Sequence, residues 1–172
     1  MMKTPAILII IFLPFLLRAQ DEISISAKVD TLTANWDREA EVLKSYEGMR
    51  DICKSYQHRT NTVNLIKEIH HYDSILYSTV KLKFDTNKDA EAKATLSDIK
   101  KLEDEYTTKG FLDFIHKECS TFNMIENNYG RYGGKPYEKQ KAKMEKELKK
   151  YVLEITEQID VVDEHIHHLK GL

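Results

Sequence analysis

The chain has 172 residues, of which 31% are charged, with a formal net charge of −2 and a mean hydropathy of −0.51. Basic and acidic residues alternate along it without collecting into blocks, which gives nucleic-acid binding no electrostatic support. The length is that of one ordinary domain able to bury a core.

Met1, Met2 and Lys3 form a short basic start, Ala6 to Leu17 is an apolar run interrupted by Pro14, and Arg18-Ala19-Gln20 leads into acidic chain. That order predicts a cleaved signal peptide over residues 1–20, with cleavage after Ala19 or Gln20, and a single helical domain over residues 21–172. The apolar run would span only about 18 Å as a helix, short of a bilayer core of roughly 30 Å, so no permanent membrane anchor is expected. The expected location is periplasmic or secreted. Loss of Lys3 and Arg18 with residues 1–20 takes the net charge from −2 to −4.

Helix breakers are scarce in the rest of the chain: no proline occurs between Pro14 and Pro136, and Gly48 and Gly110 are the only glycines before residue 130. This favours long helices. Val29, Leu32, Trp36, Ala40 and Leu43 recur at three and four, and the stripe continues through Tyr46, Met49, Cys53 and Tyr56, predicting one amphipathic helix. Residues 57–62 carry no apolar side chain. They read as a turn in which Thr60 or Asn61 caps the next helix, with a polar kink in a continuous helix as the alternative.

Leu65, Ile69, Tyr72, Leu76 and Val80 mark a second helix that should stop near Phe84, because Asp85-Thr86-Asn87 reads as a turn and N-cap. A third runs from about Lys88 through Ala92, Leu96, Ile99, Leu102 and Tyr106 to Phe111, Ile115, Cys119, Phe122 and Ile125. Thr107 to Gly110 should bend or briefly break it. Asn127 to Lys135 is read as a loop, and Pro136 opens the last helix. There Met144, Leu148, Tyr151, Ile155, Ile159, Val162, Ile166 and Leu169 make a coiled-coil-like seam that must pack on the earlier helices. Glu157, Asp160, Glu164 and His168 should face water. The expected fold is all-α, an elongated bundle of about four long antiparallel helices.

An exported chain usually meets an oxidising environment, so Cys53 and Cys119 are expected to form one disulfide, with two buried free thiols as the alternative. Closing such a loop stabilises by about 4 kcal/mol in the chain-entropy model.

Two Glu-x-x-His pairs, Glu68 to His71 and Glu164 to His167, have the spacing used in di-metal carboxylate bundles. Facing argues against that site: His71 points about 170° away from the stripe of its helix, and Glu164 is similarly opposed to the last seam. A surface metal site is the better candidate. Asp160, Glu164, His167 and His168 share the polar face of the last helix, with Asp163 four residues before His167, and imidazole with carboxylate suits Zn²⁺. Histidines in a last helical turn also interact favourably with the helix dipole without any metal. No nucleophile elbow, P-loop or His-Glu-x-x-His motif occurs, so no enzyme and no cofactor are expected.

Tyr129, Arg131, Tyr132, Lys135 and Tyr137 concentrate aromatic and cationic side chains around the loop, a composition favoured where a protein partner binds. Packing of these tyrosines onto the helix ends is the alternative. The segment Val42-Leu-Lys-Ser-Tyr-Glu47 resembles the periplasmic helical components of bacterial conjugation machinery over roughly the first half of the chain. That resemblance implies a periplasmic part of a conjugation-type secretion apparatus. From the residues, the expectation is a non-enzymatic helical interaction or structural protein of the cell envelope or secreted space, the alternative being a metal-binding protein using the C-terminal face.

Overall fold

A computed structural model describes Ser24–Leu172; the expected signal peptide lies outside the described residues. Those residues form six α-helices and one π-helical turn, with no strand among them. α1 spans Ile25–Leu43, α2 Tyr46–Lys54, α3 Tyr56–Lys83, α4 Ala90–Glu105, α5 Thr108–Ile125 and α6 Gly134–His168; the π-helical turn is Glu126–Gly130.

The starts of α1 to α5 are set by short polar caps. Ser24, Ser45, Ser55, Asp89 and Thr107 each accept a hydrogen bond from the backbone N–H three residues on, satisfying a donor that has no partner within the helix. The expected first helix is therefore two, because Ser45 caps α2. Gly48 is needed at that corner, since a Cβ there would stand 2.0 Å from the Val42 carbonyl oxygen.

The expected turn at residues 57–62 does not exist. The break falls earlier, at Ser55, which ends α2 and caps α3. Thr60 and Thr62 donate to the carbonyls of Tyr56 and His58 at 2.8 and 3.0 Å, so this polar stretch remains helical. Thr107 gives the third predicted helix a true break, separating α4 from α5. α3 ends at Lys83, with Phe84 as its cap, as expected; Asp89 rather than the Asp85 to Asn87 segment caps α4. Asn127 to Gly130, expected in the loop, lie in the π-helical turn that extends α5, and Gly134 and Lys135, also expected there, open α6.

α6 packs along α1 and α4 and also meets α2 and α5, while α3 lies against α1 and α4. Its partner α1 runs antiparallel: Ser26 meets His167, Trp36 meets Thr156, and Tyr46 at the start of α2 meets Glu145. Trp36, Leu43, Met49, Ile52, Ile99, Phe111, Phe122 and Leu148 are buried in the shared core. Each such aliphatic or aromatic side chain contributes about 1.5–3 kcal/mol of transfer free energy. The seam of α6 is buried as predicted except that Val152 is the fully buried residue where Tyr151 was expected. Tyr151 is half-buried and stacks on Phe114 with ring centroids 3.7 Å apart. Glu157, Asp160, Glu164 and His168 are exposed, and so are Glu68 and His71.

Candidate functional site

Two regions gather polar chemistry, one at each end of the α1–α6 contact. At the end where α1 passes into α2, Tyr46 and Tyr137 both donate to Glu126 Oε1, at 2.8 and 2.6 Å. The π-helical turn places Glu126 there. The two tyrosine rings meet edge to face at 6.2 Å, and Lys141 Nζ lies 5.0 and 5.3 Å from their centroids. The two hydroxyl donors hold the Glu126 carboxyl below its ordinary range, while burial first, then the Glu126 contact, pushes the Tyr46 phenol up. Tyr137, one of the predicted partner-binding residues, is thus committed to an internal network. The other four divide: Tyr129 is half-buried, while Arg131, Lys135 and Tyr132 face solvent, Tyr132 with 87% of its surface exposed.

The chain turns at this corner on Gly133 and Gly134, whose φ values of 59° and 78° lie in the left-handed region that side chains disfavour. Beneath it, Cys53 on α2 and Cys119 on α5 are joined by a disulfide with a Cα–Cα distance of 5.3 Å. Arg59 at the start of α3 donates to the Cys53 carbonyl at 2.9 Å.

At the opposite end, the last two turns of α6 present three histidines to two neighbours. His165 is turned to α4, with Nδ1 2.5 Å from Glu91 Oε1 and Nε2 2.8 Å from Asp98 Oδ2. These carboxylates, Glu91 first, raise its pKa against the opposing effect of burial. His168 also leans towards Glu91, at 4.0 Å. His167 is turned to α1: its Nε2 lies 2.8 Å from Asp30 Oδ1 and 3.3 Å from Asp163 Oδ1, and its Nδ1 lies 3.2 Å from Ser26 Oγ.

Of the four predicted metal-face residues, only His167 enters this cluster. Asp160 sits on a neighbouring turn, where burial first, then Asp37 and Asp163, raise its pKa; Glu164 projects into solvent, and His168 serves the α4 side. Sequence reasoning missed Asp30, which no local spacing connects to a residue 137 positions away. Asp163 was visible as the residue four before His167.

Between α1 and α3 lies a cavity of about 30 Å³ lined by Val29, Thr33, Ile69, Asp73 and Ile159 among others. That is room for about one or two water molecules. Asp73 is only 4% exposed, and its Oδ2 and the Thr33 hydroxyl both lack a hydrogen-bond partner. Burial, with a smaller contribution from the charge of Glu103, pushes the Asp73 carboxyl up to about 8. No periodicity marks such a residue, because it occupies an apolar position of an otherwise ordinary stripe.

Comparisons of the chain with protein-family models, with curated proteins and with solved structures find no match.

Proposed function

We propose that this is an exported, non-enzymatic helical protein that acts by binding a protein partner through its helix surfaces and its Tyr-rich corner. The observation that carries this reading is the presentation of Tyr132, Arg131 and Lys135 to solvent on a corner braced by Glu126, Tyr46 and Tyr137. Tyrosine offers a large, rigid contact area at low cost in conformational freedom and arginine a planar fork of several donors, which is why both anchor interfaces.

Export belongs to the same proposal: residues 1–20 act as a cleaved signal peptide and residues 21–172 as one domain in the periplasm or outside the cell. The Cys53–Cys119 bond supports it, because disulfides persist mainly in oxidising compartments. No helix among the described residues is long and apolar enough to cross a membrane. In this reading α1 with α2, and α4 with α5, each act as one broken rod, which makes four antiparallel rods of six helices.

The test is a photo-crosslinking residue at position 132, with a second probe at Tyr56, which is 81% exposed on a different helix. Incubation with envelope and culture fractions of the source organism should give a discrete adduct from position 132. Arg131→Ala with Lys135→Ala should abolish it. An adduct formed equally from position 56, or none from position 132, would remove the corner from consideration.

A further inference from the structure

Three donor atoms lie close together at the α1–α6 end. His167 Nε2, an Asp30 oxygen and an Asp163 oxygen all lie within 4.8 Å of one another. Around a tetrahedral ion with bonds of about 2.0 Å, neighbouring donors stand about 3.3 Å apart. The His167–Asp163 separation is already 3.3 Å, and the His167–Asp30 separation of 2.8 Å needs to open by only about half an ångström. Asp30 is exposed and His167 is 44% exposed at its side chain, so small rotations of these side chains accomplish this.

The second ring nitrogen also has a partner. Ser26 Oγ lies 3.2 Å from His167 Nδ1, within hydrogen-bond reach, and in the tautomer that carries its proton on Nδ1 the ring turns its Nε2 lone pair towards two carboxylates. An outer hydrogen bond of this kind fixes the ring tautomer in metal-bound histidines. His165, two residues earlier, is arranged differently: carboxylates face both of its nitrogens, an environment that a protonated imidazolium satisfies completely. A proton on His167 Nε2 can be directed well to one of its two carboxylates, whereas a divalent ion satisfies all three donors at once.

The surroundings favour a cation as well. Asp30 and Asp37 on α1 face Glu157, Asp160 and Asp163 on α6, and these carboxyls act on one another as like charges. Among the described residues, His167 makes the ion pairs of this strip and no lysine or arginine pairs with it.

We propose that Asp30, Asp163 and His167 bind one divalent transition-metal ion, with Zn²⁺ as the best match to a nitrogen and two carboxylate oxygens, and that the ion fastens the start of α1 to the end of α6. The site is open to solvent on the His167 side, so water completes its coordination. Its donor set differs from the single-helix face Asp160, Glu164, His167 and His168: it spans two helices and shares only His167.

The experiment is calorimetric titration of untagged, chelator-treated full chain carrying its disulfide with ZnCl₂. One ion per chain is expected. His167→Ala and Asp163→Asn should each weaken binding by more than about tenfold, Ser26→Ala by about tenfold, and His168→Ala not at all. Absence of saturable binding overturns the proposal, as does binding that survives His167→Ala or is lost in His168→Ala. Equal binding of Ca²⁺ by wild type and His167→Ala would reveal only a diffuse acidic strip, which also overturns it. A second measurement needs no variant: Co²⁺ added to the wild-type protein should broaden the NMR signals of Ser26, Asp30, Asp163 and His167 before others. Broadening centred on His165 or His168 would refute the assignment.

Discussion

The buried indole of Trp36 donates to Thr156 Oγ1 at 2.9 Å, and the same hydroxyl donates onward to the Val152 carbonyl at 2.9 Å. A fully enclosed tryptophan thereby places its one polar atom on a helix that is packed against its own. Thr156→Val keeps the shape but strands the indole N–H, which should cost about 1–3 kcal/mol. Trp36→Phe removes the donor together with part of the ring. Urea unfolding of both single variants and the double variant should give a coupling energy of about 1 kcal/mol, whereas strict additivity would mean the bond contributes nothing.

Ile159→Ala should cost about 2–5 kcal/mol, because Ile159 is 7% exposed and already lines the cavity beside Asp73, so truncation enlarges an existing void. Glu164→Ala, on the exposed side of α6, should change stability by no more than about 0.5 kcal/mol. Equal losses in thermal melts would contradict the facing of this helix.

Asp73 makes stability fall with rising pH. Its carboxyl titrates near 3.8 in the unfolded chain and near 8 in the fold. Below about pH 4 both states are protonated and its contribution is intact. Between those values the unfolded state ionises first, so stability declines by up to about 1.4 kcal/mol per pH unit until the folded group also ionises. Asp73→Asn should flatten denaturation midpoints across pH 4–8 and be more stable than wild type at pH 7. An unchanged slope would mean the carboxyl reaches water.

His165 acts in the same direction through another window. Its folded pKa is raised above 6.5 by Glu91 and Asp98, so its contribution is complete below about pH 6.5 and is lost as pH rises through the folded value. In an Asp73→Asn background, wild-type His165 should leave a residual fall in stability near and above neutrality that His165→Gln abolishes. NMR titration of the ring should give a pKa above the ordinary value, and a value at or below 6.5 would disprove the pairing.

Thiol titration of the denatured, unreduced protein should find no free cysteine, since Cys53 and Cys119 are paired. Replacing both by serine should cost about 3–4 kcal/mol, seen as a lower denaturation midpoint at unchanged helix content. Free thiols in the exported protein would count against the bond and against its support for an oxidising compartment.

The helix faces were legible because burial imposes a period: Met144, Leu148, Ile155, Ile159, Val162 and Ile166 are buried as their spacing predicts. The breaks were less legible. Residues 57–62 resemble a turn in composition, yet their threonine hydroxyls bond back to their own helix and Thr62 also reaches Glu39, so a polar run stays helical. A local signal for the true breaks was present, since Ser45 and Thr107 each stand three residues before a glycine whose N–H they accept. At the candidate metal cluster, Asp163 and His167 were readable from helical spacing. Asp30 was not, because its place depends on the antiparallel register of α1 on α6, which is decided by packing across the whole core.

The disulfide fastens α2 to α5 at one end of the molecule, whereas the far end of α6 is held by His165 and His167 with their carboxylates. Along α6, Glu145 and His167 are separated by about 33 Å of helix rise. A covalent bond is indifferent to protons and ions, and the histidine pairs are not. Local unfolding therefore acquires a direction: amides in the last turns of α6 and the first turn of α4, around His165, should show protection from exchange that follows acidity once the intrinsic pH dependence is divided out, and those around Cys53 should keep one protection factor across the same range. A tether applied at the Tyr-rich corner would pull on α5 beside its covalent bond to α2, while the histidine-held end frays apart from it.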